Sequence, residues 1–222
     1  MRRESRISLP WDALPSPLVL IDLETTGVNP RADRIIEVAA IRYEPGKPTV
    51  LLDTLVRNEE LRVGPTHVHG VVPSMLVGAP TFVELLPALR AVCEGATMVA
   101  HNASFEHGFL SAELERAGGA WGLPRLCTVR LSHRLHVDRP KRGGHRLGDL
   151  AHHYEIPVVA AHRALGDVVM MAHLLIRMLA RFSLPEQLPH VVRGELRPPG
   201  RLPLWPVEAG GPVAVQRRGP LS

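Results

Sequence analysis

The sequence predicts an α/β fold: one mixed sheet with helices packed on it and an antiparallel hairpin built into it. Three observations predict it. Residues 18–23 form a compact apolar run that closes in charge and then Thr25-Thr26-Gly27, the pattern of a buried central strand ending in a turn. Residues 35–44 and 49–57 have strand character and are joined by Pro45-Gly46-Lys47-Pro48, a connection short enough for a hairpin. From Val72 onward helical periods alternate with short apolar runs, the order expected when helices cover a sheet.

Taken in order, residues 1–15 are polar, carry two prolines and show no period, which predicts a loosely attached N-terminal arm. The folded domain is expected over residues 16–184. After the first three strands, Phe82, Leu85, Leu86 and Leu89 form a helical stripe behind Pro80 and Thr81. Residues 96–100 predict a short buried strand. The helix expected over 103–117 starts at Asn102 as its cap, stops at Gly118-Gly119, and buries Phe105, Phe109, Leu110 and Leu114. Residues 126–129 suggest a fifth strand, and residues 146–154 and 163–182 two further helices. The last of these carries Val168, Met171, Leu175 and Leu179, a stripe that signals packing rather than a ligand pocket. Residues 185–222 are rich in Pro, Gly and Arg without period and predict a flexible C-terminal tail.

Composition narrows the class. With 222 residues, 45% of them hydrophobic, the chain can bury one core plus a tail, and two domains would be cramped. The net charge of +4 comes almost wholly from arginine, because Lys47 and Lys141 are the only lysines among 26 basic residues. The guanidinium fork suits phosphate, although a codon bias toward arginine explains the same count. Cys93 and Cys127 are too few for a disulfide framework and are not spaced as a metal pair. No apolar run is long enough for a signal core or a membrane span, so a cytoplasmic protein without membrane contact is expected.

Three blocks carry chemistry. Asp22 and Glu24 stand two apart at a strand end, so both side chains leave one face; two adjacent carboxylates repel unless a cation lies between them. Oxygen ligands favour magnesium or manganese. Glu106 falls in the first turn of its helix, where an acid also suits the helix dipole. His162 and Asp167 are five apart, about 140° around a helix, and share a site only if His162 belongs to the loop and Asp167 to the helix.

In order and context, DLETTG, HNASFEHGFL and HRALGD resemble the DnaQ-like proofreading exonucleases of the DEDDh superfamily. HGVVPSML at 69–76 and HRLGDL at 145–150 are similar to that family's intervening segments, and the resemblance covers about residues 17–180. It implies a ribonuclease H-like fold, with a five-stranded mixed sheet whose second strand is antiparallel. It implies an exonuclease domain acting on 3′ ends, with Asp22, Glu24, Glu106 and Asp167 holding two Mg2+ or Mn2+ ions and His162 taking a proton from the attacking water. Thr25, Thr26 and Gly27 would border the terminal nucleotide. His69, His101, Asn102, Phe105, Arg142 and Arg146 are further substrate candidates, with Asn102 expected first as the helix cap and His101 open between substrate and structure. The family pattern has aspartate where this chain has Glu106, a carboxylate reaching about 1.5 Å further, which predicts that Mn2+ serves at least as well as Mg2+.

The segment RPKRGGHR at 139–146 is a candidate phosphate track, and equally a solvated loop. Only 4% of residues are aromatic, which argues against a long stacking platform and for a grip on the last few nucleotides of single-stranded or frayed DNA. RNA substrates carry the same chemistry and stay open. A non-catalytic accessory module is the alternative of another class, and the C-terminal tail is a candidate contact for a DNA polymerase subunit.

Overall fold

The computed structural model describes residues 14–140, 143–158, 162–180 and 187–206, and the backbone of 216–218. Strands β1 (Leu18–Thr25), β2 (Ile35–Tyr43) and β3 (Thr49–Leu55) are followed by two single-turn helices, α1 (Thr66–His69) and α2 (Pro73–Leu76). Then come α3 (Phe82–Cys93), β4 (Thr97–Ala100), α4 (Ala103–Arg116), β5 (Arg125–Cys127), α5 (Thr128–Leu135), α6 (Leu147–His153), α7 (Ala164–Ala180), α8 (Leu188–Glu195) and a short β6 (Gln216–Arg218).

The sheet runs β5-β4-β1-β2-β3-β6. β2 is antiparallel to both β1 and β3, while β4 and β5 are parallel to β1. The expected five-stranded mixed sheet is therefore present, extended at the β3 edge by β6. Strand alternation sorts β1 between two cores. Val19, Ile21 and Leu23 pack in the layer with α3 and α4, and Leu18 and Leu20 in the layer with α5, α6 and α7.

α3 begins as its sequence dictates: Thr81 and Glu84 close a reciprocal capping box, the Glu84 N–H donating to the Thr81 hydroxyl and the Thr81 N–H to the Glu84 carboxylate. α5 was not expected. Residues 128–129, read as strand, are its first turn, and its inward face carries Thr128 and Ser132 beside Leu131, so the apolar period is diluted by hydroxyls.

The C-terminal tail is corrected within the described residues. Residues 188–195 are helical, Arg197 exchanges both backbone hydrogen bonds with Arg125 on β5 at 2.9 Å, and Leu204 does the same with Ala120 at 2.7 and 2.8 Å. Buried Glu195 accepts from Arg130 at 2.9 Å and Arg134 at 2.6 Å, and Trp205 meets Trp121 edge to face with ring centres 6.1 Å apart. Ion pairs and backbone bridges hold this segment, with Val192 the one fully buried apolar residue among its described side chains, so it leaves little period in the sequence. The N-terminal arm lies outside the described residues apart from Leu14 and Pro15; Leu14 is buried. No helix among the described residues is long and apolar enough to cross a membrane. Cys93 is buried and Cys127 half-buried, both free; burial pushes the Cys93 thiol up to about 12.

Candidate active site

Continuing the alternation of β1 past Leu18 and Leu20 brings Asp22 and Glu24 out on the side covered by α7. Asp167 stands in the first turn of α7. One carboxylate oxygen from each of Asp22, Glu24 and Asp167 lies within 4.8 Å of the other two. Residues 145 positions apart in the chain thus converge because a strand end and a helix start meet at one edge of the sheet.

Glu106 approaches from the first turn of α4, which follows β4, the parallel neighbour of β1. It is 3% exposed, and its Oε2 is buried with no hydrogen-bond partner. Burial pushes the Glu106 carboxyl up to about 8. Asp22 is held well above the ordinary range, first by burial and then by the charges of Glu106, Asp167 and Glu24. Glu24 is pushed up to about 7 by burial, with Glu37 and Asp167 adding to it. Asp167 is raised by burial and partly restored by the charge and backbone N–H of His162. Such a group of carboxyls, one with an orphaned oxygen, keeps its charge only with cations among them. Oxygen-only donors select magnesium or manganese over softer ions. The site fits the divalent metals, although Glu106 stands outside the tight group of three.

His162 is exposed, with φ +62, and belongs to the loop before α7, the arrangement its spacing from Asp167 required. Two residues here escaped the sequence reading. Arg163 grips Glu37 of β2 with Nε at 3.1 and 3.0 Å and Nη2 at 2.8 Å from its oxygens. Glu37 is directly opposite Glu24 in the β1/β2 register. An acid interrupting the apolar run IIEVAA was the available signal. A cavity of about 650 Å3 opens behind this pair, lined also by Asp53, Ile156, Val169 and Met170; the acids Asp22, Glu24 and Asp167 are not among its walls.

The turn after β1 is braced from within. The Thr25 hydroxyl donates to the Gly27 carbonyl at 2.6 Å, and the Thr26 hydroxyl donates to Asp33 at 3.2 Å. A Cβ on Gly27 would press into the Asp33 carboxylate, and one on Gly64, whose φ is +71, would overlap the Thr26 carbonyl. Asp33 and Gly64 are therefore part of the site's support, and neither sits in a motif.

The ring nitrogens of two candidate histidines are taken up within the fold. His69 is 2% exposed; its Nδ1 accepts from the Val71 N–H at 3.0 Å, so Nε2 carries the hydrogen and donates to the Val63 carbonyl at 3.0 Å. Nothing on the ring is left for a substrate. His101 accepts from the Thr128 hydroxyl at 2.8 Å and donates to the His145 carbonyl at 3.0 Å, and burial pushes it down to about 4. It is a neutral latch joining β4, α5 and the loop before α6. Asn102 starts α4 in the left-handed region, φ +88, which asparagine tolerates. Its side chain makes no cap hydrogen bond and is exposed, which reverses the expectation of a side-chain cap. Phe105 is half-buried, its ring centre 4.8 Å from that of Phe109. Arg146 is exposed at the start of α6, Arg139 donates to the Gly144 carbonyl, and Arg142 lies outside the described residues.

A model of the family described as Exonuclease (RNase T) matches residues 19–175. A PolC-type DNA polymerase III of Lacticaseibacillus paracasei is 33% identical over 175 residues, covering 77% of this chain and 12% of that protein. A DNA polymerase III subunit epsilon-like protein of Rhodobacter capsulatus is 36% identical over 167 residues, covering 72% of this chain and 23% of that protein. The chain therefore spans under a quarter of the length of either relative. Among solved structures, Exonuclease X in complex with 5′ overhanging duplex DNA superposes with a TM-score of 0.59 at 25% identity, covering 79% of this chain and 99% of the other. Exonuclease I of E. coli in complex with a dT13 oligonucleotide gives a TM-score of 0.66 at 17% identity, covering 79% and 43%, a likeness of fold.

Proposed function

This chain belongs to the Exonuclease (RNase T) family, and from that membership we propose that it hydrolyses DNA from the 3′ end, releasing nucleoside monophosphates in proofreading or repair. The carrying observation is the convergence of Asp22, Glu24 and Asp167 within 4.8 Å, with Glu106 buried beside Asp22. These four carboxylates would hold two divalent cations. When bound, the ions supply charge neutralisation at the scissile phosphate and a lowered pKa for the attacking water.

His162, exposed and interacting with Asp167, would accept the proton of that water, a task suited to imidazole near neutral pH. The water oxygen bonds to phosphorus as the bond to the 3′ oxygen of the preceding nucleotide breaks. A nucleoside 5′-monophosphate leaves, and the departing 3′ oxygen takes a proton from solvent, so that the shortened strand keeps a 3′ hydroxyl. The braced turn of Thr25, Thr26 and Gly27 borders the terminal nucleotide, and exposed Asn102 and Arg146 with half-buried Phe105 remain candidates for substrate contact. The relatives' names and the duplex DNA bound by Exonuclease X support DNA over RNA.

The longer Glu106 side chain supports the further reading that Mn2+ serves at least as well as Mg2+. The relatives' names also support a DNA polymerase partner. Its contact would lie in the C-terminal segment that follows Leu184, parts of which pack on the domain. A pull-down with a chain ended at Leu184 tests it.

The deciding experiment digests 5′-labelled single-stranded DNA, duplex DNA and RNA with each metal at equal free concentration. A ladder shortening from the 3′ end, absent for Asp22→Ala, is expected. An inactive parent returns the chain to a binding module, and faster cleavage of RNA returns the RNA reading. Much faster cleavage with Mg2+ overturns the metal preference, and Glu106→Asp should narrow the difference between metals.

A further inference from the structure

We infer that Arg163 and Glu37 form a positioning pair that fixes the entry of α7, and with it Asp167 and His162, against the strand that carries Glu24. The inference rests on the metal-dependent reading above and assigns roles to Glu37 on β2 and to Arg163, which follows His162 within HRALGD; neither is among the four candidate metal ligands.

Three observations carry it. Glu37 is 2% exposed and directly opposite Glu24, an arrangement of like charges that destabilises a strand pair unless a cation is supplied. Arg163 supplies it in the fork geometry that guanidinium alone provides, with two nitrogens on two oxygens at 2.8 to 3.1 Å. The same residue starts the helix, because its carbonyl accepts from the Asp167 N–H at 3.1 Å. One side of Arg163 is therefore bonded to β2 and the other to the residue that completes the three-acid group. His162, immediately before it, holds φ +62, a conformation that a side-chain-bearing residue keeps only where its surroundings over-determine it. The Arg163 fork and the fully buried Ala164 are those surroundings. Behind the pair lies an open cavity with largely apolar walls rather than a second polar partner, so no other group there takes over the fork's hydrogen bonds to Glu37.

A purely electrostatic role predicts the opposite sign. Removing a cation beside the acids should tighten divalent metal, whereas removing a positioning group should loosen it.

The test measures Mn2+ affinity on the full chain by electron paramagnetic resonance. It compares wild type, Arg163→Lys, Arg163→Met and the double variant Glu37→Gln/Arg163→Met, beside thermal unfolding and oligonucleotide cleavage. Mn2+ affinity is expected to fall about 10- to 100-fold in all three, the range for groups that orient metal ligands. At saturating Mn2+, kcat should fall while KM for the oligonucleotide holds. The double variant removes both charges and should keep a melting temperature close to wild type, which separates positioning from stability. Should it unfold, Arg163→Lys decides, since it keeps the charge and loses the fork. Unchanged or tighter Mn2+ binding by Arg163→Met, or wild-type affinity in Arg163→Lys, overturns the pair. A wild type that binds Mn2+ yet cleaves nothing overturns the nuclease reading, while the Mn2+ series still decides on the pair.

Discussion

Replacing Glu106 by Gln should flatten the pH dependence of stability of the metal-free protein. The Glu106 carboxyl is 3% exposed and burial raises it from 4.5 to about 8, so the folded state holds its proton to higher pH than the unfolded chain does. Ionisation above 4.5 therefore opposes folding, and the loss grows as pH rises until it levels off past about 8. At about 1.36 kcal/mol per pH unit, the step from pH 6 to pH 9 costs the wild type about 2.7 kcal/mol through this one group. For a chain of this size that is roughly 5 to 10 °C in melting temperature. Glu106→Gln has no such proton to lose, and it removes the largest charge acting on Asp22, so its slope should be shallower by at least that amount. The assay is thermal unfolding in EDTA across that range for both proteins, repeated with saturating Mn2+, which should restore the wild type at pH 9 far more than the variant. Parallel pH slopes in EDTA would refute the placement of Glu106 as a buried, uncompensated carboxyl.

Gly64→Ala should displace the Thr26 turn, because its Cβ overlaps the Thr26 carbonyl and φ +71 is strained for alanine; a loss of about 1–3 kcal/mol and a raised KM, read by melting and steady-state kinetics, are expected. Glu195→Ala should cost about 1–2 kcal/mol, since the half-exposed Arg130 and Arg134 rehydrate when it is removed; kcat should hold, and a lost kcat would show that α8 acts on the site. Arg146→Gln should weaken binding of single-stranded DNA and flatten the slope of log affinity against log salt by about 0.7, one phosphate contact; an unchanged slope makes Arg146 a solvated loop residue.

What could be read in advance was whatever a local pattern encodes. Alternation along β1 told that Asp22 and Glu24 share a face, and the resemblance carried by the block order pointed to Asp167, which lies within 4.8 Å of them, and to Glu106, which lies outside that tight group. His69 was read as a substrate candidate and His101 was left open because a histidine beside a motif looks the same whether its nitrogens face solvent or a carbonyl; the carbonyls of Val63 and His145 are set only by the fold. Glu37 and Arg163 lie 126 positions apart, and no periodicity pairs them. α5 and α8 were hidden for a related reason: hydroxyls, an ion-paired carboxylate and backbone bridges do the anchoring that apolar stripes do elsewhere.

The exchange of backbone bonds between Arg125 and Arg197 has a consequence for how the molecule behaves in company. β5 is the outermost strand on its side, and an uncovered outer strand is a template on which a second copy can zip itself. Arg197 bridges to that template at Arg125 from the same chain, and Leu204 bridges to Ala120 ahead of it, while β6 lies along β3 on the far side. A chain cut at Leu175, where the family match stops, would keep every acid of the site and lose this guard, so it should self-associate before it loses its chemistry.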